Sequence, residues 1–180
     1  ADEINPCSFS DSIFFWISSS YKNSSIITAK GNPSIDSNLL KPFFLPPSEN
    51  KYIGSFAASE DRKRIYFSKC TTYLDELGLA KESCSLFVTY AQDSSWSFPL
   101  ELNDRINARG ACTTYPFVYT KDQTEFLFFA SDRRGTAGGL DIWYASRPLI
   151  DGNFEFSVPK NCGRSINSRG DEVTPWIRLE

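Results

Sequence analysis

The apolar residues of this chain fall into short runs separated by polar turns. Three of the runs are continuously apolar: Phe14-Phe15-Trp16-Ile17, Ile65-Tyr66-Phe67 and Phe126-Leu127-Phe128-Phe129. A strand with one face in water alternates apolar and polar residues, so a continuous run predicts a strand covered on both faces. The pattern therefore predicts an all-β protein whose middle strands lie between neighbouring sheets.

The runs belong to an internal repeat. Trp96-Ser97-Phe98-Pro99 returns sixty residues later as Phe156-Ser157-Val158-Pro159. Ile106-Asn107-Ala108-Arg109-Gly110 returns at the same spacing as Ile166-Asn167-Ser168-Arg169-Gly170. A fixed period of this kind is the mark of a repeat architecture, because each period folds as one supersecondary unit.

A third correspondence joins the two ends of the chain. Asp171-Glu172-Val173-Thr174-Pro175 resembles Asp2-Glu3-Ile4-Asn5-Pro6, 169 residues earlier, which equals three periods of about 56 residues each. Turn residues divide every period into four predicted strands. In chain order these strands are 4–10, 12–18, 25–30 and 39–45; 52–59, 64–70, 84–90 and 95–102; 114–120, 125–131, 140–146 and 153–159.

Four short strands in a repeat of ~40–50 residues or more are typical of a β-propeller blade. We predict an all-β partial propeller, with four-stranded antiparallel blades and the first strand of a further blade. The predicted blades span about 2–48, 51–105 and 111–168, and the extra strand spans 171–180. The helix-like stretch 74–82 is interpreted as an insertion. A ring needs about 4–8 blades, so we expect more of the same polypeptide, or a second copy giving six blades, to complete it.

Composition excludes several classes of function. The net charge is −3 and no block of Lys or Arg exists, which argues against a nucleic-acid groove. The longest apolar runs are five residues, far short of the ~20 that a spanning helix needs, so we expect no direct membrane insertion. With no His in the chain, a Ser-His or Cys-His nucleophile pair is excluded. We expect no catalytic residues, no metal site and no cofactor.

The five cysteines show no metal-ligand spacing. Their odd number leaves a thiol unpaired within the chain, either because its partner lies elsewhere or because the thiols are simply buried. Cys70 and Cys84 flank the insertion and would face each other in a hairpin, which predicts a disulfide in an oxidising compartment. The chain contains no Met, and Ala1 fits either a mature end after signal cleavage or an internal cut.

The third period resembles a known family. Phe129-Ala130-Ser131-Asp132-Arg133, then Gly138-Gly139-Leu140-Asp141-Ile142-Trp143, then Gly170-Asp171-Glu172, is similar to the TolB-type (WD-like) β-propeller repeat. The likeness is greatest to the version found in outer-membrane proteins of Bacteroidetes-type bacteria. It is good over 114–175, fair over 53–118 and weak before 52. The middle period has Ser68-Lys69-Cys70 where the third has Ser-Asp-Arg.

The resemblance implies a non-catalytic binding or scaffold module in the periplasm, associated with the outer membrane. Its partners would be other envelope proteins, with peptidoglycan bound through a neighbouring OmpA-like domain or with a link to type IX secretion. Propellers serve many functions, so the resemblance implies fold and compartment more firmly than activity.

The candidate binding residues lie in the repeated loops. Arg109 and Arg169 are predicted to project from one rim, where they would bind acidic groups of a partner or tie adjacent blades together. Asp171 and Glu172 open an innermost strand and are candidates for the same surface, although such charges are usually only solvated.

A second set of residues surrounds a Gly-rich hairpin. Asp132 and Asp141 are interpreted as acceptors of turn N–H groups, with Arg133 paired to one of them and Gly138-Gly139 in the turn. The alternative is a small cation or ligand site.

One enzymatic alternative follows from Gln92-Asp93-Ser94-Ser95-Trp96, which faintly resembles a sialidase Asp-box but lacks its Gly. On that interpretation the chain would belong to a carbohydrate-active propeller with a carboxylate pair.

Overall fold

The computed structural model describes the backbone of residues 2–10, 13–20, 23–30, 41–43, 51–92, 96–150 and 155–177. Side chains are described for 52–92, 96–150 and 155–177.

Within the described residues, twelve strands form three four-stranded sheets, each with strands paired in chain order. The first sheet contains β1 (Asp2–Ser10), β2 (Ile13–Ser20), β3 (Asn23–Lys30) and β4 (Lys41–Phe43). The second contains β5 (Lys51–Ala58), β6 (Arg64–Leu74), β7 (Ala80–Tyr90) and β8 (Leu100–Glu101). The third contains β9 (Thr113–Lys121), β10 (Thr124–Ser131), β11 (Asp141–Pro148) and β12 (Lys160–Asn161).

The predicted all-β class with four-stranded antiparallel sheets is confirmed. The described part of the chain contains no helix, and therefore none long and apolar enough to span a membrane. Local chemistry explains the hairpins. Between β9 and β10 the chain turns through Asp122 and Gln123, whose positive φ values of 47° and 57° match the two-residue turns that suit a right-twisted hairpin.

The first strand of each sheet carries a β-bulge at the same place. The register shifts between Ile4 and Cys7 in β1 and between Ile53 and Phe56 in β5. In β9 it shifts between Thr114 and Phe117, which pair with Ala130 and Phe128 of β10. A bulge strengthens the local twist of a strand. The repeat seen in the sequence is therefore also a repeat of backbone geometry.

From the sequence, the insertion between the second and third strands of the second sheet is interpreted as helix-like. The structure shows a projecting hairpin there instead. Strands β6 and β7 continue their ladder to the pair Leu74 and Ala80, and a turn over 75–79 joins them. Cross-strand pairing from Cys70 and Cys84 outward continues through the stretch that the sequence analysis interpreted as helix-like.

The main core lies between the second and third sheets. Tyr66, Leu86 and Val88 from one sheet pack with Leu127 and Phe129 from the other. All five are buried to 2% exposure or less, and burial of apolar surface stabilises a fold by about 25 cal/mol per Å².

Burial differs between the two middle strands. Ile65, Tyr66 and Phe67 of β6 are fully buried, as predicted for a strand covered on both faces. In β10, Leu127 and Phe129 are fully buried but Phe126 and Phe128 are only half-buried. The prediction was therefore right for one face of β10 and wrong for the other.

The fourth strands are shorter than predicted. Leu100–Glu101 forms β8 within the predicted 95–102, and Lys160–Asn161 forms β12 just after the predicted 153–159. Residues 171–177 join no strand ladder among the described residues. The further blade that they were predicted to open stays a prediction.

Candidate functional site

One end of the second and third sheets gathers most of the residues predicted to be functional. Because the strands are antiparallel, the β6–β7 hairpin turn, the β8–β9 connection, the β10–β11 loop and the segment after β12 all lie at this end. We call these residues (74–80, 102–112, 132–140 and 162–172) the loop rim.

Two asparagines hold the repeated loops in the same way. The Asn107 side chain accepts the N–H of Leu86 (2.8 Å) and donates to the Leu86 carbonyl (2.9 Å). Asn167 accepts the N–H of Ile142 (2.8 Å) and donates to the Ile142 carbonyl (3.0 Å). Each amide satisfies both backbone groups of a third-strand residue, as a neighbouring strand would. In both repeats the Asn side chain therefore holds the loop to the third strand of its sheet.

The arginines of the motif are exposed. Arg109 and Arg169 each follow the anchored Asn by two residues, and both are exposed. Gly110 after Arg109 adopts φ of 77°, a conformation that favours glycine. Gly170 does not share this conformation, so the two loops have the same Asn anchor and an exposed Arg on the loop rim but differ in backbone after the Arg.

Asp171 bonds to the β10–β11 loop, and Glu172 bonds within its own loop. Asp171 Oδ1 accepts the N–H of Leu140 (2.7 Å). Glu172 accepts the N–H of Ser168 (2.9 Å) and its hydroxyl (2.6 Å). These contacts give both carboxylates a structural role.

Gly138 and Gly139 are needed for close approach and not for an unusual φ. A Cβ on Gly138 would lie 2.4 Å from the Gly170 carbonyl oxygen, and one on Gly139 would lie 2.0 Å from Asp171 Oδ1. Their backbones also bond to this segment, since Gly139 N–H donates to the Gly170 carbonyl (3.0 Å). Residues 169–172 therefore pack directly against the backbone of the Gly-rich loop, which side chains at 138 and 139 would prevent.

Arg133 does not pair with Asp132 or Asp141, contrary to the prediction. Its guanidinium donates to the carbonyls of Arg105 (2.9 Å) and Ile106, and it lies over the Phe129 ring at 4.7 Å. Burial lowers the pKa of Arg133 to about 10. The side chain joins the third sheet to the loop that enters it, because backbone carbonyls there lack strand partners.

The two aspartates differ in role. Asp132 Oδ1 accepts the N–H of Cys112 (2.7 Å), which lies just before β9, and not a turn N–H. Asp141 is fully buried, and its Oδ2 accepts Ala137 N–H (2.9 Å), the predicted turn bond, and Asn161 Nδ2 (2.7 Å). Its Oδ1 has no hydrogen-bond partner among the described residues. No group of three or more His, Cys, Asp or Glu in this part of the chain is placed to hold a metal ion.

A cavity of about 500 Å³ opens between the β6–β7 hairpin and the Gly-rich loop. Its walls include Tyr52, Glu82, Cys112, Asp132 and Asp171. The Tyr52 hydroxyl donates to Glu82, and Asp132 and Asp171 bond to backbone N–H groups as described above. Tyr52, Glu82, Asp132 and Asp171 therefore each already have a hydrogen-bond partner in the cavity wall.

Cys70 and Cys84, which face each other across β6 and β7, form the disulfide predicted from the hairpin. Among the described cysteines, Cys112 and Cys162 are free and half-buried. Burial raises the pKa of the Cys112 thiol, and the charges of Asp132 and Glu82 raise it further. A hydrogen bond with the Cys84 backbone lowers this pKa but does not cancel the increase. Burial also raises the pKa of Cys162. Both thiols are therefore poor nucleophiles at neutral pH.

A buried ionic cluster joins the second and third sheets, and the sequence analysis missed it. Glu125 is fully buried; its Oε1 lies 2.8 Å from Arg147 and its Oε2 lies 2.9 Å from Arg64. The Tyr66 hydroxyl donates to the same carboxylate (2.5 Å), and Arg147 donates to the Tyr66 oxygen (2.7 Å). The one available signal was a charge immediately before the apolar run of β10.

The cluster predicts a dependence of stability on alkaline pH. Burial, with Glu125 adding to it, raises the pKa of Tyr66 well above 10.0. Above about pH 10 the unfolded chain releases this proton while the folded chain keeps it, so stability falls with rising pH. Relative to a Tyr66→Phe variant, the unmodified protein should lose about 1.4 kcal/mol per pH unit in its free energy of unfolding. Urea titrations between pH 9 and pH 11 measure this, and parallel curves would contradict it.

Comparison with family models, with curated proteins and with solved structures gave no match to this chain.

Proposed function

We propose that the chain is part of a β-propeller that serves as a non-catalytic scaffold in a protein complex of the bacterial cell envelope. Partners dock on the loop rim that carries Arg109 and Arg169. The observation that carries the proposal is the repeated loop, in which an anchored Asn presents an exposed Arg two residues later.

Stacking of sheets supports the propeller. Ile106 and Ile166 hold the same position in consecutive repeats, yet Ile106 is 1% exposed and Ile166 is 59% exposed. Ile106 lies in the core between the second and third sheets. A further sheet packed on the third would cover Ile166 in the same way.

The remaining face of the third sheet fits such a neighbour. Its aromatic rings are half-buried and pack on one another, with centroids 5.7–6.4 Å apart. We call this set the aromatic face; it consists of Phe117, Tyr119, Phe126, Phe128 and Tyr144. Partly exposed rings that pack on one another form an apolar surface that another sheet can cover. On the proposal, the site receives the next blade.

The compartment is proposed from the disulfide and from the resemblance to TolB-type repeats. A bond between Cys70 and Cys84 persists in an oxidising environment such as the periplasm. Attachment to peptidoglycan through a neighbouring domain, or a role in type IX secretion, belongs to the same proposal.

The experiment is charge reversal on the loop rim. Arg109→Glu and Arg169→Glu together should reduce capture of envelope partners at least tenfold, because like charges would then face a partner's acidic groups. Lys63→Glu and Lys121→Glu, on exposed turns at the opposite end of the sheets, are the matched control and should leave capture unchanged. Circular dichroism should be the same for all variants. Equal capture by both double variants would place the binding surface elsewhere.

A glycosidase would behave differently. Asp93 of the Asp-box-like segment lies outside the described residues, so the structure gives no geometry for it. Turnover of sialosides or aryl-glycosides that is lost in Asp93→Ala would replace the scaffold proposal by an enzymatic one.

A further inference from the structure

The β6–β7 hairpin forms an arm that extends beyond the second sheet. Strand β5 reaches only as far as Thr71, opposite Lys51, and β8 pairs with β7 only at Phe87 and Val88. From Thr72 to Glu82 the two strands therefore pair with each other alone among the described residues. We call residues 72–82 the arm.

The tip of the arm is apolar and exposed. Tyr73 is 50% exposed, Leu74 70%, Leu77 83% and Leu79 56%. A single exposed leucine is ordinary on a protein surface, but four large apolar side chains within seven residues form a patch. The repeat does not require them, since the corresponding loop of the third sheet is Gly-rich.

The arm is held in one conformation. Asp75 Oδ1 accepts the N–H groups of Leu77 and Leu79, both at 2.9 Å, and Gly78 takes φ of 75° to close the turn. At the base, the disulfide of Cys70 and Cys84 ties the strands together. A pre-ordered element loses little conformational entropy on binding, so its apolar contacts contribute more fully to affinity.

The charges of the arm indicate whether it binds a lipid bilayer or a protein. Asp75, Glu76 and Glu82 are opposed by Lys81 alone, and Glu76 is exposed beside Leu77 at the apex. Entry into a bilayer would bring these carboxylates toward the headgroups and hydrocarbon, at a desolvation cost. A protein cleft can instead place basic groups around an apolar floor.

We propose that the arm is a docking element whose Leu74, Leu77 and Leu79 enter an apolar cleft of a partner protein bordered by Lys and Arg. The arm belongs to the same loop rim as Arg109, so one partner would meet an apolar anchor and flanking charges together. An apolar centre with a polar margin is the usual anatomy of a protein interface. The inference does not depend on ring closure or on the role of the arginines.

The first experiment is site-specific photo-crosslinking in the cells that make the full protein. A photo-reactive residue at Leu77 should give one discrete protein adduct, and the same residue at Lys121, on the opposite end of the sheets, should not. An adduct that matches a second copy of this chain, or no adduct beyond that at Lys121, would overturn the proposal.

The second experiment uses the adduct partner in purified form. Leu77→Asp should raise its Kd at least tenfold, Lys121→Asp should leave it unchanged, and added salt should weaken binding because basic groups face the arm. Arg109→Glu with Arg169→Glu tests the other contact separately, so the two proposals can fail independently. The Cys70–Cys84 bond, checked by thiol labelling, must remain intact in every variant. Leu77-dependent sedimentation with phosphatidylcholine vesicles, or an unchanged Kd for Leu77→Asp, would overturn the proposal.

Discussion

Replacing Glu125 with alanine is expected to lower the free energy of unfolding by about 3–5 kcal/mol. The carboxylate is fully buried and bound by Arg64, Arg147 and Tyr66, so its loss removes the buried counter-charge of Arg147 and one of the two carboxylates that bind Arg64, the other being Asp61. A buried charge without compensation is among the costliest defects in a folded protein. The measurement is the midpoint of urea denaturation at neutral pH.

Glu101→Ala is the matched control, because Glu101 is an exposed residue of β8 in the second sheet. It should change the free energy of unfolding by less than about 0.5 kcal/mol. The pair Glu125→Leu with Arg147→Met should be less destabilising than Glu125→Ala, because it removes one buried cation together with the anion. A loss below about 1 kcal/mol for Glu125→Ala would mean that the cluster is open to solvent.

Residues 1–180 produced alone are expected to self-associate through the aromatic face of the third sheet. These half-buried rings form an apolar surface that a neighbouring sheet would cover in the proposed propeller. Ile166 and Trp176, in the segment after β12, are also exposed, at 59% and 72%. Sedimentation velocity should show species larger than a monomer at micromolar concentration, and Phe126→Ser with Tyr144→Ser should return the protein to a monomer.

Leu77→Ser on the arm is the control for this second prediction and should leave the self-association unchanged. A dimer of defined size would favour the alternative in which two copies complete a six-bladed ring. A series of larger species would instead fit a propeller that is completed by further blades of the same polypeptide. A compact monomer at every concentration would contradict the prediction.

The predictable part of this protein follows from its repeat. Asn107 and Asn167 lie sixty residues apart, and the structure gives them the same pair of backbone bonds. The hairpin cysteines were also predictable, because facing positions across two strands follow from a short insertion between them. Such features depend on local pairing and on a period, both of which can be read along the chain.

The sequence misled where local preference competed with distant contacts. Residues 74–82 were interpreted as a helix-like insertion, but the ladder from Cys70 and Cys84 continues through them and makes them a hairpin. Arg133 was expected to bind the nearest acid, yet it reaches the carbonyls of Arg105 and Ile106, which the sheet pairing leaves without partners.

By itself the sequence determined the strands, their grouping in fours and the equivalence of the repeated loops, since these depend on neighbours within one period. Only the tertiary structure decided which charges became buried. Glu125 lies 61 residues from Arg64 and 22 from Arg147, and the three meet because two sheets pack face to face. No pattern along the chain predicts this contact, because a carboxylate next to an apolar run can be either buried or exposed at the edge of a sheet. Whether it is buried depends on how the sheets pack against each other.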